Sequence, residues 1–220
     1  MMHWLIQHKY FLFCISLVVF IWMQLVDPRA ASVRDEGVLI SIFHALIVGL
    51  IGWELLSHKT QRLLWIFAFL MVVFFSRVAY SSGPETMVLP LTALTFRMAF
   101  IFIVIWQLVA YQLGKHCLER DDIFAAIAVY LLIGLGFSDA YLMLLVLDPA
   151  GTLNVPFSEI QIGDVFYFSF ITLSTVGYGD LIPLSPAARG LSILEGVLGV
   201  TFLATMVARA VSLQKPSPTE

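Results

Sequence analysis

The sequence predicts an all-α integral membrane protein with six transmembrane helices, a re-entrant helix and a loop after that helix. Of its 220 residues, 60% are hydrophobic and 12% are charged, and the mean hydropathy is +0.93. A soluble domain of this size could not bury so much apolar surface, whereas the core of a bilayer is a suitable solvent for it. Six long apolar runs, and one glycine-rich segment at residues 175–180 between the last two, complete the pattern.

The six apolar runs have the length that a membrane span requires, which is about 20 residues. Charged or turn-forming segments separate them, such as Asp27-Pro28-Arg29, His58-Lys59, Ser81–Pro84 and Arg120–Asp122. The predicted spans are Tyr10–Val26, Val38–Ser57, Leu63–Tyr80, Met87–Leu113, Ile123–Leu147 and Ala187–Leu213.

A shorter aromatic stretch, Asp164–Ser174, lies between the fifth and sixth runs. It has helical character but is too short to cross a bilayer. Ser158 with Gln161 fits a capping box, which predicts where this helix starts. Asp164 near that start suits the positive end of the helix dipole. The stretch therefore predicts a helix that enters the membrane and leaves on the same side.

The loop after this helix reads Thr-Val-Gly-Tyr-Gly-Asp over residues 175–180. In potassium filters, four TVGYG loops supply rings of backbone carbonyls that replace the hydration shell of the ion. Such a wall requires backbone angles that alternate between ordinary and mirror-image values, and Gly177 and Gly179 adopt the latter cheaply. Thr175 adds a hydroxyl at the inner end, and Asp180 lies at the outer mouth. The predicted K+ ligands are Thr175, Val176, Gly177 and Tyr178, with no other cofactor.

On these residues, the chain resembles the tetrameric potassium channels, and its layout is similar to their mostly prokaryotic, six-span members. The filter match is complete over Thr175–Asp180. Gly199 lies where the family places the hinge of the inner helix, and Leu194–Gly199 is similar to bacterial members with short tails. The resemblance implies a pore helix and a selectivity-filter loop, and passive K+ conduction rather than catalysis. It also implies a homotetramer, since one filter per chain requires four chains for a ring.

The pore helix departs from the family pattern. The family commonly has adjacent Trp residues where this chain has Tyr167 and Phe168, so the indole donor to Asp180 is absent and Tyr167 is at most a weak substitute. A Glu behind the filter of some bacterial members is Ile171 here. The hydrogen bonds around the filter should therefore differ, which affects inactivation but not selectivity. The predicted supporting residues are Tyr167, Phe168, Ile171, Thr172 and Ser174.

The first 113 residues resemble a voltage-sensor domain in layout but lack its chemistry. Voltage-gated members carry Arg or Lys at every third position of the fourth span, whereas this span carries only Arg97. Steep gating takes about 3–4 gating charges in each of four subunits. We therefore expect weak voltage dependence. The predicted domains are a voltage-sensor-like unit at 1–113, a cytoplasmic linker at 114–122, a pore domain at 123–213 and a short cytoplasmic tail at 214–220.

Several ionisable residues fall in the outer halves of predicted spans, where such groups are costly and are usually paired or functional. A pair of Arg97 with Asp139 would tie the fourth span to the pore domain. Such a pair either only packs helices or takes part in gating, and the sequence leaves both open. The candidate intramembrane charges are Arg77, Arg97, Asp139 and Glu195.

The last span carries an apolar stripe at spacings of three and four residues, beginning next to Gly199. This stripe is the candidate cavity lining and inner gate, and the alternative is that it packs on the fifth span. Its members are Val200, Leu203, Val207 and Val211.

Basic residues orient the chain in a cell inner membrane. With both termini in the cytoplasm, seven Lys and Arg residues of the loops lie inside and three lie outside, and the filter faces outward. The N-terminal run could instead be a secretory signal, which would leave five spans and the same pore orientation. Lipids and three further copies of the chain are the expected partners, with no nucleic acid and no soluble regulatory domain in this chain.

Three other functions stay open at this point. A potassium transporter subunit would usually carry four unequal filters in one chain. A weakly selective cation channel would usually lack the Tyr at position 178. A non-conducting membrane scaffold would show no ion flux.

Overall fold

The computed structural model describes residues 9–26, 88–114, 120–149, 151–156 and 159–212. Within these ranges it contains five α-helices. Their bounds lie within three residues of the predicted first, fourth, fifth and last spans and of the re-entrant helix. The predicted second and third spans, and with them Arg77, lie outside the described residues. The helices are α1 (Lys9–Val26), α2 (Val88–Leu113), α3 (Arg120–Leu147), α4 (Ile162–Leu173) and α5 (Pro186–Ser212).

Polar residues and proline account for the starts of the long helices α3 and α5. Asp121 and Asp122 lie in the first turn of α3, where carboxylates stabilise the positive end of the helix dipole. Pro186 opens α5, at the position where its missing N–H costs nothing. The Ala188 N–H donates to the Ser185 hydroxyl at 3.1 Å, which caps the helix.

The predicted capping box of α4 is wrong. The cap is Gln161, and α4 begins at Ile162. The Gln161 backbone N–H donates to the Asp164 carboxylate at 2.8 Å. Asp164 therefore holds the helix start, in addition to complementing its positive end. Ser158 lies outside the described residues.

Helix α3 lies at the centre of the described fold and packs against α1, α2, α4 and α5. One hydrophobic core joins its inner face to α1, α2 and Phe166 of α4. A second, smaller cluster lies between α3 and α4 and includes Tyr141 and Phe168. The helices of the first and last parts of the chain therefore share one core. Its buried members include Tyr10, Phe13, Leu17, Ile101, Val104, Leu108, Ala128, Leu132 and Leu135.

Two of the described helical segments are long and apolar enough to cross a membrane, namely Asp121–Leu147 and Pro186–Ser212. Shorter apolar segments are Tyr10–Trp22, Arg97–Leu113 and Ile162–Leu173. The fold is thus all-helical with apolar helices, as expected of a membrane protein. The count of six spans stays a prediction.

The loop from α3 to α4 runs alongside the segment that leads into α5. Leu153 and Pro183 form an isolated antiparallel bridge. The Asn154 side-chain amide donates to the Asp180 carbonyl oxygen at 2.9 Å and accepts from the Ile182 N–H at 2.8 Å. The loop before α4 therefore holds the end of segment 175–180 and the residues that follow it.

Candidate functional site

The segment 175–180 has an alternating backbone. The φ angle is +59° at Thr175, +47° at Gly177 and +81° at Gly179, and no other described non-glycine residue has a positive φ. The alternation expected at Gly177 and Gly179 is present. The third position was not foreseen, because a β-branched residue with positive φ is uncommon and strained. Every second residue from Thr175 to Gly179 is thus in the left-handed region.

The C-terminal turn of α4 holds the first half of this segment. The N–H groups of Val176 and Gly177 both donate to the Ile171 carbonyl oxygen, at 2.9 and 3.1 Å. The Thr175 N–H donates to the Thr172 carbonyl oxygen at 3.0 Å. The last carbonyls of a helix have no intrahelical partner, so the segment satisfies them. Ile171 therefore contributes through its backbone, although its buried side chain cannot form the bonds of a Glu.

The predicted supporting side chains act mostly on α4 itself. The Thr172 hydroxyl donates to the Phe168 carbonyl oxygen at 2.7 Å, and the Ser174 hydroxyl donates to the Phe170 carbonyl oxygen at 2.6 Å. The Phe168 ring is buried and packs edge-on against Tyr141, with ring centroids 4.9 Å apart. The hydrogen bonds and ring contact of these three side chains therefore stabilise α4 and its packing on α3.

Tyr167 contacts the other end of the segment. Its hydroxyl donates to the Asp180 carboxylate at 2.9 Å, and this hydrogen bond is the main reason that the pKa of Asp180 lies below its usual value. The Tyr167 and Tyr178 rings stack, with centroids 6.4 Å apart and planes inclined by 4°. Tyr167 therefore supplies the donor that the missing indole would have supplied.

The expected pair of Arg97 with Asp139 is present. The Arg97 Nε–H donates to Asp139 Oδ2 at 2.7 Å, and its Nη2 donates to Oδ1. Asp139 is 1% exposed, so its charge is removed from solvent. Two parallel bonds of this kind fix both side chains. The pair ties α2 to α3.

Glu195 makes contacts that the sequence analysis missed. It is completely buried on α5. The Tyr141 hydroxyl of α3 donates to Oε2 at 2.8 Å, and the Ser169 hydroxyl of α4 lies 2.5 Å from Oε1. A carboxyl inside a span requires polar partners, and that rule could have pointed to hydroxyls on neighbouring helices. It could not have indicated which ones.

Gly199, expected as a hinge, lies against α4. A Cβ atom at this position would overlap the Leu173 carbonyl oxygen. That oxygen also accepts a hydrogen bond from the Tyr130 hydroxyl at 3.2 Å. The absence of a side chain therefore permits a close approach of α5 to α4. The hinge stays a prediction.

The side chains of the candidate gate stripe on α5 are exposed in the single chain. Its side chains are between 47% and 65% exposed, and Leu203 and Val207 border a crevice of about 280 Å3 between α3 and α5. The buried residues of α5 are instead Ala188, Glu195 and Gly199. The stripe therefore does not pack fully on α3. Its members are Val200, Leu203, Val207 and Val211.

Comparison with known proteins agrees with this geometry. A family model described as "Ion channel" matches residues 123–214. Protein LctB of Bacillus caldotenax is 33% identical over 103 residues, which cover 44% of this chain and 76% of LctB. No solved structure matches. The chain therefore belongs to the same family as LctB, residues 123–214 match an ion channel family, and the matches are channels rather than enzymes.

Two further relatives narrow the class. Two-pore potassium channel 4 of Arabidopsis thaliana is 47% identical over 49 residues, or 22% of this chain and 17% of the relative. Voltage-gated potassium channel Kch of Escherichia coli (strain K12) is 52% identical over 40 residues, or 18% of this chain and 10% of the relative. The chain thus spans only a small part of both. These likenesses support a potassium channel family for the chain.

Proposed function

We propose that four copies of this chain form a potassium-selective channel that conducts passively and responds only weakly to voltage. The observation that carries the proposal is the alternating backbone of residues 175–179, with positive φ at Thr175, Gly177 and Gly179. Alternation of this kind directs successive carbonyl oxygens toward one side of the strand, as a wall of ion ligands requires. K+ would bind at Thr175, Val176, Gly177 and Tyr178 and move when another ion enters.

The exposure of residues 176–179 in the single chain favours an assembly of four copies. Val176 is 52% and Tyr178 is 73% exposed, and nothing lies within 4 Å of a Cβ placed on Gly177 or Gly179. A hydrated wall of carbonyls on one chain could not strip water from an ion. Three further copies would enclose the path, and the exposed faces of α5, including Val207 and Val211, would line its inner part or contact the neighbours.

Weak voltage dependence rests on Arg97. Even full movement of one charge per subunit supplies about 9 kcal/mol per 100 mV for four subunits, against roughly 28–37 for three or four charges each. Arg97 forms an ion pair with the buried carboxylate of Asp139 on α3. Movement of Arg97 away from α3 would leave that carboxylate buried without this partner. The peripheral unit at 1–113 would then support the pore domain at 123–213 rather than drive it.

The arrangement in the membrane follows from the same elements. The charge balance of the loops favours a multi-pass protein of the inner membrane, with both termini in the cytoplasm. The mouth at Asp180 would then face outward, and the linker at 114–122 and the tail at 214–220 would lie inside. Membrane lipids would contact the exposed apolar faces of α1 and α2, which include Trp22, Phe102 and Trp106.

Reconstitution tests the conducting function. The purified chain in planar bilayers should pass K+ far better than Na+, and external Ba2+ should block it. Tyr178→Asp should weaken selectivity, because it removes the ring that stacks on Tyr167. Glu159→Gln is the matched control, since it removes an exposed carboxylate of the outer loop and leaves the filter intact. Equal Na+ and K+ permeability in the unmodified protein would favour the weakly selective cation channel instead.

Assembly is tested separately. Native mass measurement and cross-linking in lipid should give four chains per particle. A conducting monomer or dimer would refute the proposed ring of four filters.

A further inference from the structure

Three helices meet at the buried carboxyl of Glu195. Oε2 accepts from the Tyr141 hydroxyl of α3 at 2.8 Å, and Oε1 lies 2.5 Å from the Ser169 hydroxyl of α4. Tyr141 also lies 3.2 Å from the Ser192 hydroxyl, one turn earlier on α5. No basic side chain of the described ranges forms an ion pair with Glu195, whereas Arg97 and Asp139 do pair. Among the described residues, the hydrogen-bond partners of the Glu195 carboxyl are therefore hydroxyl groups.

Counting protons at Ser169 shows how this contact works. The Ser169 hydroxyl lies 2.8 Å from the Gly134 carbonyl oxygen as well as 2.5 Å from Glu195. One hydroxyl has one proton, so it cannot donate to both. If Glu195 is protonated, it donates to Ser169, and Ser169 then donates to Gly134. This arrangement satisfies every contact and avoids a buried unpaired charge.

A second contact lies one helical turn further along both helices. Gly199 follows Glu195 by four residues, and Leu173 follows Ser169 by four, so each pair shares a face of its helix. A Cβ at Gly199 would overlap the Leu173 carbonyl oxygen, which means that the two backbones nearly touch there. We call the contacts of Glu195 with Ser169 and of Gly199 with Leu173 the clasp. It fixes the back of α4 at two points.

The clasp lies directly behind the start of the filter. Between its two points on α4 lies Ile171, whose carbonyl oxygen accepts from the N–H groups of Val176 and Gly177. A rotation or slide of α4 would therefore move the first residues of the filter. No described side chain of α5 bonds to the filter itself, so the path from α5 to the filter passes through α4.

We propose that Glu195 is a positioning residue of the pore, which holds α4 from behind and thereby keeps the inner half of the filter in its conducting conformation. The inference rests on the proposed function and adds a residue to it that the filter motif does not contain. Because the carboxyl acts as a neutral hydrogen-bonding group, Gln can replace it, and Leu cannot.

The experiment compares variants at this position in reconstituted channels. Glu195→Leu should shorten conducting bursts about tenfold and leave the single-channel conductance near that of the unmodified protein, because it removes both hydrogen bonds to neighbouring helices and leaves the filter ligands unchanged. Glu195→Gln should restore burst length to within about twofold, since an amide can donate to Ser169 and accept from Tyr141. Tyr141→Phe keeps the ring and removes one donor, so it should give an intermediate effect.

Leu191→Ala is the matched control. Leu191 packs partly buried against the cluster that contains Tyr141, and as an apolar side chain it gives the carboxyl no hydrogen bond. The control should lower thermal stability without shortening bursts. If Leu191→Ala shortens bursts as much as Glu195→Leu does, the effect comes from general packing and the inference is overturned. It is also overturned if bursts in Glu195→Gln are as short as in Glu195→Leu.

Hydrogen exchange in the K+-loaded protein supplies a readout that does not require conduction. Exchange at the Val176 and Gly177 amides should quicken about tenfold in Glu195→Leu, by a smaller factor in Tyr141→Phe, and stay unchanged in Glu195→Gln. Unchanged exchange in both defective variants would overturn the inference even in a conducting channel. Absence of current from the unmodified protein would instead reject the proposed function, and exchange would still decide whether the clasp holds the filter.

Discussion

Helices α1 and α2 and the helices α3 to α5, which we propose form the pore, accommodate buried polar groups in different ways. Between α2 and α3 the solution is a charged pair, in which Arg97 clamps Asp139 with two bonds. Between α3, α4 and α5 the solution is a set of hydroxyl contacts around Glu195. A charged pair joins two helices strongly at one point. Hydroxyl contacts, which are weaker, can fix the direction of a helix without introducing charge near an ion path.

The largest effect is expected from breaking the charged pair. Arg97→Gln leaves the Asp139 carboxylate buried without a cation, which costs about 3 kcal/mol or more. Thermal unfolding in detergent should show a marked loss of stability, and any shift of a voltage midpoint should be small. The double variant Arg97→Leu with Asp139→Leu is the control, and it should recover most of the loss because it leaves no lone charge. Steep activation in the unmodified channel, lost in Arg97→Gln, would show that Arg97 senses voltage.

A smaller effect is expected where α5 touches α4. Gly199→Ala forces a methyl group against the Leu173 carbonyl oxygen and should cost about 1–3 kcal/mol of stability through overpacking. Gly190→Ala is matched in chemistry and lies on the same helix with nothing within 4 Å of the added Cβ. It should gain up to about 1 kcal/mol from helix propensity. Chemical denaturation of both variants measures the difference, and equal behaviour would mean that Gly199 serves as a hinge rather than as a contact.

The smallest effect is expected at the outer mouth. The Tyr167 hydrogen bond lowers the pKa of Asp180, so the bonded carboxylate stabilises the filter fully above the ordinary carboxyl pKa of about 4, and this contribution is lost only as the pH falls through the lowered value. Tyr167→Phe should raise the pKa of Asp180 and move the acid-induced loss of current to higher pH. Currents recorded while the external pH is lowered measure the midpoint. An unchanged midpoint would show that the hydrogen bond from Tyr167 does not control the titration of Asp180.

The sequence predicted the described helices well because their signals are local. Apolar length located α1, α2, α3 and α5 to within three residues, and the six-residue motif located the loop after α4. The pair of Arg97 with Asp139 was also accessible, since an Arg in a span demands a carboxylate at a similar depth.

What the sequence did not predict depends on contacts between helices. Nothing in the order of residues indicates that Ser169 and Tyr141 face Glu195, because helix rotation decides it. The start of α4 was misjudged for a different reason: Ser158 with Gln161 and Gln161 with Asp164 have the same spacing, and the former was the more familiar pattern. Gly199 was assigned to bending by resemblance, while its packing against Leu173 appears only in three dimensions.

The pairing of Arg97 with Asp139 has a consequence for how the chain enters the membrane. The two residues are 42 positions apart in the chain. At roughly 5–20 residues per second, the ribosome makes Asp139 about 2–8 s after Arg97. During that interval α2 carries Arg97 before Asp139 has been made, and an Arg near the centre of a span opposes insertion by about 3 kcal/mol. Helices α2 and α3 should therefore insert stably into the bilayer together, and α2 should reach its final position only once α3 is complete.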